Sequence, residues 1–224
     1  AASDVYKRQD TDIIEISNED ELISFANSCR NDSYSFGRKV KLTSDISITK
    51  DGFEGIAYFN GTFDGGNHTI RNLNKEYIGS DYGFFRYLGE DAYVYNLSVS
   101  GTITASGSQK NIGGIAGVNK AGARLINCNS DADISATNQT GGIAGNNQGI
   151  ISGCISRSKV NTNELNSSFD IGGVDVGTLN ITQHVVDRND MGGIAGYSTG
   201  VISDSTNYGA VGYSCLLYTS PSPR

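Results

Sequence analysis

The chain has 224 residues and a formal net charge of −7. Because it is acidic and has no basic cluster, it does not have the electrostatic character of a nucleic-acid-binding protein. No apolar run is long enough to span a membrane, so we expect no membrane insertion. The chain has 29 glycines, 2 prolines and no tryptophan, a composition typical of many short strands joined by tight turns.

The two ends of the sequence resemble translated sequencing adapters. Residues 1–9 (AASDVYKRQ) and 215–224 (CLLYTSPSPR) both back-translate into the adapters of transposase-based sequencing libraries. We therefore expect the chain to be a metagenomic fragment, and we expect both ends to make few contacts with the core. Residues 10–214 are then long enough for one domain with a sizeable core.

Residues 10–58 predict a lead-in that contains one helix and the first strands. In the segment SNEDELISFANSCRND, apolar residues recur at i, i+3, i+4 and i+7, which places them on one helical face. Ser17 or Asn18 is the expected N-cap, and the acidic residues that follow suit the helix dipole. The predicted buried face consists of Leu22, Phe25, Ala26 and Cys29. We expect this helix to cover the N-terminal end of the fold, because an open end would expose strand edges and apolar core.

A Gly-Gly-Ile-Ala-Gly motif occurs three times, beginning at Gly113, Gly141 and Gly192. A phosphate-binding loop uses such glycines once, followed by Gly-Lys-Ser/Thr and a helix, and neither follows any copy here. The repetition instead indicates a repeat architecture. We expect the glycines to lie at corners, where they allow positive φ or close backbone approach, and the Ile and Ala between them to point inward.

After each motif, apolar positions recur at constant offsets from one anchor residue, three positions before it and six positions after it. The anchor positions are 73, 97, 128, 154 and 205, with spacings of 24, 31, 26 and 51 residues. The last spacing predicts a degenerate repeat that contains Gly172, Gly173 and an anchor at Ile181. The predicted inner columns are Ile70/Val94/Leu125/Ile151/Ile202, Leu73/Leu97/Cys128/Cys154/Ser205 and Ile103/Ile134/Val160/Val211.

A repeat that holds only short strands and turns cannot close a core alone, so the copies must stack, with strands paired in parallel about 4.8 Å apart. The sequence therefore predicts an all-β protein, a right-handed parallel β-helix with a short N-terminal capping α-helix. Its coils span residues 59–214, between the lead-in at 10–58 and the C-terminal tail. The last coil has no predicted cover, so we expect end-to-end self-association through it.

Two segments resemble a known family. The segment GGIAGNNQGIISGCISRSKV (141–160) resembles the GLUG repeat of bacterial surface proteins, and FNGTFDGGNHTIRNLN (59–74) resembles the segment that opens such arrays. The resemblance implies a pectin-lyase-like β-helix in a secreted or wall-attached protein, as in the non-catalytic parts of bacterial immunoglobulin A peptidases. It implies an extracellular stalk or adhesin segment with host or cell-wall glycans or proteins as partners. It implies no cofactor and no catalytic or metal-binding residue.

The competing hypothesis is a carbohydrate-active β-helix enzyme, either a polysaccharide lyase or a glycoside hydrolase. Such sites need clustered carboxylates on one outer face. Asp131 and Asp133 alternate outward on one strand, and the predicted register places Arg157 and Lys159 opposite them on the next coil. We therefore interpret these four residues as two weak surface ion pairs.

Other polar residues also allow a chemical and a structural interpretation. Asp64 in FDGGNH could be a ligand beside His68, but the motif favours a turn in which Asp64 binds its own backbone. His68 and His184 lie about five coils apart on the predicted register, too far to share a metal. Cys128 and Cys154 stack in one column, either as a redox or metal pair or, more simply, as buried thiols. The residues Asn72, Asn96, Asn127 and Asp204 are interpreted as a ladder along the stack, with carbohydrate binding as a secondary role.

Aromatic residues crowd the second predicted coil. Some of these rings must belong to the core, but an outward cluster of tyrosines would make a surface for stacking sugars. The candidate ligand surface consists of Tyr77, Tyr82, Tyr87, Tyr93 and Tyr95.

Overall fold

The computed structural model describes residues 13–77, 79–105, 110–162 and 189–212, with the backbone alone for Tyr77 and Asn189. The two adapter-like ends lie outside the described residues, as do the glycine pair at 172–173, Ile181 and His184.

The chain folds into a parallel β-solenoid with a single helix in the described part, as the sequence predicts. Every strand pair is parallel, and the strands form four sheets that run along the stack. Sheet A contains β1 (Ile13–Ile16), β2 (Lys39–Leu42), β5 (Thr62–Asp64), β9 (Tyr93–Tyr95), β13 (Arg124–Ile126), β17 (Ile150–Ser152) and β21 (Val201–Ser203). Sheet B contains β3 (Ile46–Ser47), β6 (Thr69–Arg71), β7 (Lys75–Tyr77), β10 (Ser98–Ala105), β14 (Asn129–Ser135), β18 (Ile155–Ser156) and β22 (Thr206–Asn207).

The two remaining sheets complete each coil. Sheet C contains β4 (Ile56–Phe59), β8 (Phe85–Leu88), β12 (Ala116–Asn119), β16 (Ala144–Asn147) and β20 (Ala195–Ser198). Sheet D contains β11 (Ile112–Gly113), β15 (Asn138–Gly141) and β19 (Asn189–Gly192). The chain passes from sheet C to A, then to B and D, so successive coils place equivalent residues one above another.

Helix α1 (Glu19–Ser28) lies between β1 and β2 in the chain and packs on β4, which is the edge strand of sheet C. Asn18 is the N-cap, and its Oδ1 accepts a hydrogen bond from the Glu21 N–H at 3.0 Å. The predicted face of Leu22, Phe25, Ala26 and Cys29 is buried. The Phe25 ring packs edge-on against Phe59 of β4 at 6.2 Å. The helix therefore covers the N-terminal edge of sheet C, which confirms the predicted cap.

We expect Asn18→Ala to lower the free energy of unfolding by about 1 kcal/mol, because the Glu21 N–H loses its acceptor. Asn18→Asp keeps an acceptor at the same position and should retain most of the stability. Urea unfolding followed by circular dichroism measures both variants. Equal losses of unfolding free energy in the two variants would show that the capping oxygen of residue 18 does not account for the stabilisation.

The inner columns are confirmed over the later coils and corrected at the first. In sheet A, Val94, Leu125, Ile151 and Ile202 stack in register, as predicted. The residue that precedes them in this column is Phe63, because Ile70 lies in sheet B opposite Val99. Leu73 was also misplaced: its N–H donates to Ser100 O, so it does not lie under Leu97. Apolar spacing shows which residues point inward, but it does not show to which of several sheets they belong.

The other two columns agree with prediction after the first coil. The Cys128 N–H donates to Cys154 Sγ at 3.4 Å, and the Cys154 N–H donates to Ser205 Oγ at 3.1 Å. Ile103, Ile134, Val160 and Val211 are paired in one column.

The coils of the second and third glycine motifs are direct neighbours, so the prediction of a coil between them is wrong; the residues assigned to that coil, 172–181, lie outside the described residues. Strands β16, β17 and β18 pair directly with β20, β21 and β22, so the coil of the second glycine motif contacts the coil of the third. A spacing of 51 residues measures chain length, and it does not show how many coils that length forms.

The glycines of the motifs allow the backbones of neighbouring coils to approach closely. None of Gly113, Gly114 and Gly117 has a positive φ, so of the two expected reasons only the steric one applies. A Cβ added at Gly113 would lie 2.7 Å from the Ala144 Cα and from the Gly145 N of the next coil. The Ile115 and Ala116 side chains between the glycines are buried, as predicted.

Candidate functional site

A pair of stacked tyrosine rings lies on the outer face of sheet A. Tyr93 and Tyr95 on β9 flank the buried Val94, and their rings stack at 4.9 Å between centroids. Tyr93 is 37% exposed. Arg124 lies opposite Tyr93 on the next coil, and Asp64 lies opposite Tyr95 on the preceding one. The alternation of the strand therefore places aromatic and charged groups together on one surface.

A groove of about 410 Å³ adjoins this surface at the corner between sheets A and B. It is lined by Lys41, Leu42, Thr43, Asp64, Gly66, Asn67, His68 and Asn96. Burial raises the pKa of the Tyr95 hydroxyl, and the carboxylate of Asp64, to which it is hydrogen-bonded, raises it further. Tyr95 therefore remains neutral at physiological pH. We call Tyr93, Tyr95 and this groove the sheet A surface.

The groove carboxylate has a structural partner. Asp64 Oδ1 accepts a hydrogen bond from the Gly66 N–H at 2.8 Å, which is the predicted turn. His68 does not pair with Asp64: its Nδ1 lies 3.2 Å from Asp45 Oδ1. Asp45 also accepts from the Thr69 N–H at 2.9 Å and contacts Arg71 at 2.8 Å. These contacts hold the first corner of sheet B together.

The contacts of Asp45 predict that part of the stability of the fold is lost at acidic pH. The Thr69 N–H, and then Arg71, lower the pKa of Asp45 below its ordinary value. The pKa of Asp45 is thus lower in the folded state than in the unfolded state. The contribution of Asp45 to stability is therefore complete above the unfolded pKa of about 3.9 and is lost as the pH falls through the folded pKa. We expect Asp45→Asn to be less stable than the parent at pH 7, with the difference shrinking below about pH 4.

Urea unfolding midpoints between pH 7 and pH 3 test this expectation. Asp51→Asn removes a carboxylate at an exposed turn and is the matched control for net charge. A constant difference between Asp45→Asn and the parent across the whole pH range would contradict the linkage.

One of the two predicted charge pairs forms. Asp131 and Asp133 point outward on β14, as predicted. Lys159 Nζ lies 3.7 Å from Asp133 Oδ2, and both side chains are more than half exposed, so the pair stabilises little. Arg157 is in register with Asp131, since its N–H donates to Ser130 O. Its guanidinium lies instead over the Tyr208 ring, at 5.7 Å from the centroid.

The five candidate tyrosines do not form one surface. Tyr82 is completely buried and pairs with Ile112, so it belongs to the core. Tyr87 lies on sheet C beside Tyr58, its hydroxyl donates to Asp81, and Lys120 Nζ lies 5.8 Å from its ring. The side chain of Tyr77 lies outside the described part of the chain. Among the candidate tyrosines whose side chains are described, Tyr95 adjoins the groove through Asp64, and Tyr93 stacks on Tyr95.

The main shared feature of the predicted Asn/Asp ladder is its backbone conformation. Asn96, Asn127 and Asp204 have φ of 54°, 51° and 49°, the left-handed conformation that Asn and Asp tolerate at a corner. Asn72 lies elsewhere and donates to Ser47 Oγ at 2.7 Å.

The amide ladder itself lies inside the solenoid. The buried Asn119 donates through Nδ2 to Asn147 Oδ1 at 2.7 Å, and Asn147 donates to Ser198 Oγ at 3.1 Å. These three residues occupy the same offset from the first glycine of each motif. This ladder was not predicted from the sequence, although the shared offset is a signal that could have indicated it.

The described cysteines differ in acidity. A hydrogen bond with the Cys128 thiol lowers the pKa of the Cys154 thiol, and burial opposes this effect. All three described cysteines are unpaired and buried. Burial raises the pKa of the Cys29 thiol to about 12 and also raises the pKa of the Cys128 thiol. In the described ranges, no cluster of three or more His, Cys, Asp or Glu residues could hold a metal ion.

No protein-family model matches this sequence, and comparisons with curated proteins and with solved structures find no match. None of the helical structure in the described residues is long and apolar enough to cross a membrane.

Proposed function

We propose that this chain is a non-enzymatic repeat module of a bacterial cell-surface or secreted protein, which acts as a stalk or adhesin segment. The resemblance of 141–160 and 59–74 to GLUG-type, pectin-lyase-like arrays supports an extracellular location. The continuous parallel pairing of sheet A, from β1 to β21, supports a spacer role, because a solenoid of hydrogen-bonded coils resists bending.

The observation that carries the non-enzymatic proposal is the engagement of the groove carboxylate. Asp64 is held by the Gly66 N–H and by Tyr95, and the neighbouring Asp45 is held by Thr69 and Arg71. A retaining or inverting glycosidase needs two carboxyl groups that face the same substrate bond, at separations of about 5 to 10 Å. Here each carboxylate is already engaged in contacts that stabilise its own turn or corner.

A turnover assay tests this proposal. Pectin and related acidic and neutral polysaccharides are incubated with the full chain, and reducing ends and unsaturated products are measured. We expect no product above the buffer control. Product formation that is abolished by Asp64→Asn, or by the double variant Asp131→Asn with Asp133→Asn, would overturn the proposal in favour of a lyase or hydrolase.

Glycan binding at the sheet A surface is the second candidate function. The observation that favours it is the stacked Tyr93 and Tyr95 pair beside a groove lined with amide, imidazole and ammonium groups. Sugar rings present apolar faces that pack on aromatic rings, and their hydroxyls bind such polar groups.

A glycan array with the full chain tests this second function, followed by titration with any glycan that binds. We expect Tyr93→Ala to weaken binding by about threefold to tenfold, in line with the energy of an aromatic contact. Tyr58→Ala makes the same change on sheet C and should leave the affinity unchanged. Equal weakening by both variants, or no binding at all, would argue against the sheet A surface as a glycan site.

A further inference from the structure

Two thiols lie at equivalent positions on neighbouring coils inside the solenoid. Cys128 and Cys154 directly precede Asn129 and Ile155, which are Cα partners in the parallel pairing of β14 with β18. The two cysteines are therefore one coil apart in the same column. Both side chains are fully buried, and neither of them takes part in the candidate stalk or glycan function.

The sulfur of Cys154 reaches toward the coil of Cys128. Cys154 Sγ accepts a hydrogen bond from the Cys128 N–H at 3.4 Å and lies 3.5 Å from the Leu125 O. The Cys128 thiol lies 3.4 Å from the Ile126 O of its own coil and 3.8 Å from the Val94 O of the preceding coil. The two thiols are also hydrogen-bonded to each other.

This placement suits a disulfide bond. Paired strands lie about 4.8 Å apart, and the two Cα atoms of a disulfide lie roughly 4.4 to 6.8 Å apart. Both cysteines follow a corner residue with positive φ, Asn127 at 51° and Gly153 at 64°, so their backbones leave the corner in the same way. Because Cys154 Sγ already contacts the Cys128 backbone, rotation of the Cys128 side chain about χ1 is the adjustment that a bond requires.

The pair is distinct from the other cysteine of the described residues. Cys29 lies at the end of helix α1, and burial raises the pKa of its thiol to about 12. In the cysteine column, the next coil carries Ser205 in place of a thiol. Thiol–disulfide exchange proceeds through a thiolate, and the hydrogen bond from Cys128 lowers the pKa of Cys154. Cys154 is therefore the better nucleophile of the pair.

We propose that Cys128 and Cys154 form a disulfide bond that links the coils of the first and second glycine motifs, with a small-molecule disulfide as the oxidant. The Cys154 thiolate attacks one sulfur of that disulfide, forms a mixed disulfide and releases one small thiol. The Cys128 thiolate then attacks Cys154 Sγ and releases the second small thiol. The protein loses two protons and two electrons, and the oxidant is reduced to two thiols.

The bond forms as the two coils come together during folding, because both thiols are out of reach of solvent in the finished solenoid. Once formed, it ties two neighbouring coils covalently, so a pull on the chain cannot separate them at this position. That mechanical role rests on the proposed stalk function, whereas the formation of the bond does not.

Oxidative refolding of the full chain tests the bond. The chain is unfolded and reduced in urea, refolded in a mixture of oxidised and reduced glutathione, alkylated and digested with a protease that cleaves before Asp. Cuts before Asp131 and Asp133 place Cys128 and Cys154 on different peptides. We expect mass spectrometry to find these two peptides joined, separable by reduction, with Cys29 alkylated. Oxidation in denaturing urea should instead give a mixture of pairings among the four cysteines.

Cys154→Ser is the matched control, because it gives the second coil the hydroxyl that Ser205 carries in the third. It should leave Cys128 alkylated after the same refolding. The urea midpoint of the oxidised parent should fall when a reductant is added, since a cross-link restricts the unfolded chain. The midpoint of Cys154→Ser should not change with the reductant.

Two results would overturn the inference. One is a refolded parent in which Cys128 and Cys154 are both alkylated while circular dichroism shows the native spectrum. The other is the same mixture of pairings, with links to Cys29 or Cys215, in refolded and in denatured protein, because the stacked coils would then not select the pair. Neither result changes the turnover and glycan assays, so failure of the bond is distinguishable from failure of the proposed function.

Discussion

Gly117→Ala is expected to lower the free energy of unfolding by about 3 kcal/mol, although it adds one methyl group. Gly117 is the last glycine of the first motif, in β12 of sheet C. A Cβ at this position would lie 2.7 Å from the Tyr82 N and 2.8 Å from the Arg86 O. Both atoms are backbone of the preceding coil, so neither can move aside by changing rotamer. The coils would have to separate locally and lose hydrogen bonds and packing together.

The matched control is Gly37→Ala. Gly37 has φ +64° but no atom within 4 Å of an added Cβ, so this substitution costs only the left-handed conformation, about 1 kcal/mol. Urea unfolding of both variants separates steric exclusion from backbone preference. If Gly117→Ala were no more destabilising than Gly37→Ala, close coil approach would not be the reason for the glycine motifs.

Phe63→Ala should be the most damaging core substitution, with a loss of about 3 to 5 kcal/mol. The Phe63 side chain is fully buried in sheet A. Its ring packs against three other aromatic rings of the first coils, at centroid distances of 5.9 Å to Phe59, 5.9 Å to Phe84 and 5.3 Å to Phe85. A truncation leaves a cavity that these large, interlocked rings cannot fill without moving the backbone.

Phe36→Ala is the control for this substitution. Phe36 is 55% exposed and stacks on Tyr58 alone among the described rings, at 6.2 Å. It should cost no more than about 1 kcal/mol. Thermal and urea unfolding measure both losses. Comparable losses would mean that the aromatic cluster does not dominate the stability of the first coils.

The aromatic cluster also bears on the candidate glycan site. Phe63 lies between Thr62 and Asp64 on β5, so the strand that buries the ring inside also presents Asp64 to the groove outside. Loss of glycan binding in Phe63→Ala would therefore reflect movement of this strand. Tyr93→Ala, which changes only the outer surface, is the informative variant for the site itself.

The sequence by itself determined the helix, the solenoid class and the inward positions of the later coils. Leu22 and Phe25 recur at the helical period, and Leu125 and Ile151 each lie three residues before a repeat anchor, Cys128 or Cys154. Both signals can be recognised in the sequence alone, because they depend on local geometry and on repetition. The structural role of Asp64 was also predictable, since its turn closes over two residues.

The tertiary structure alone decided which surfaces meet. Ile70 and Tyr82 are both apolar in pattern, but only the stacking of the first coils shows that Ile70 belongs to sheet B and that Tyr82 is core. The candidate site depends on the same information, because Tyr95, Asp64 and Lys41 are brought together from three successive strands of sheet A. A residue pattern shows whether a side chain points in or out, whereas its neighbours across the sheet are determined by coil length and register. Those quantities are determined by how whole coils pack on one another.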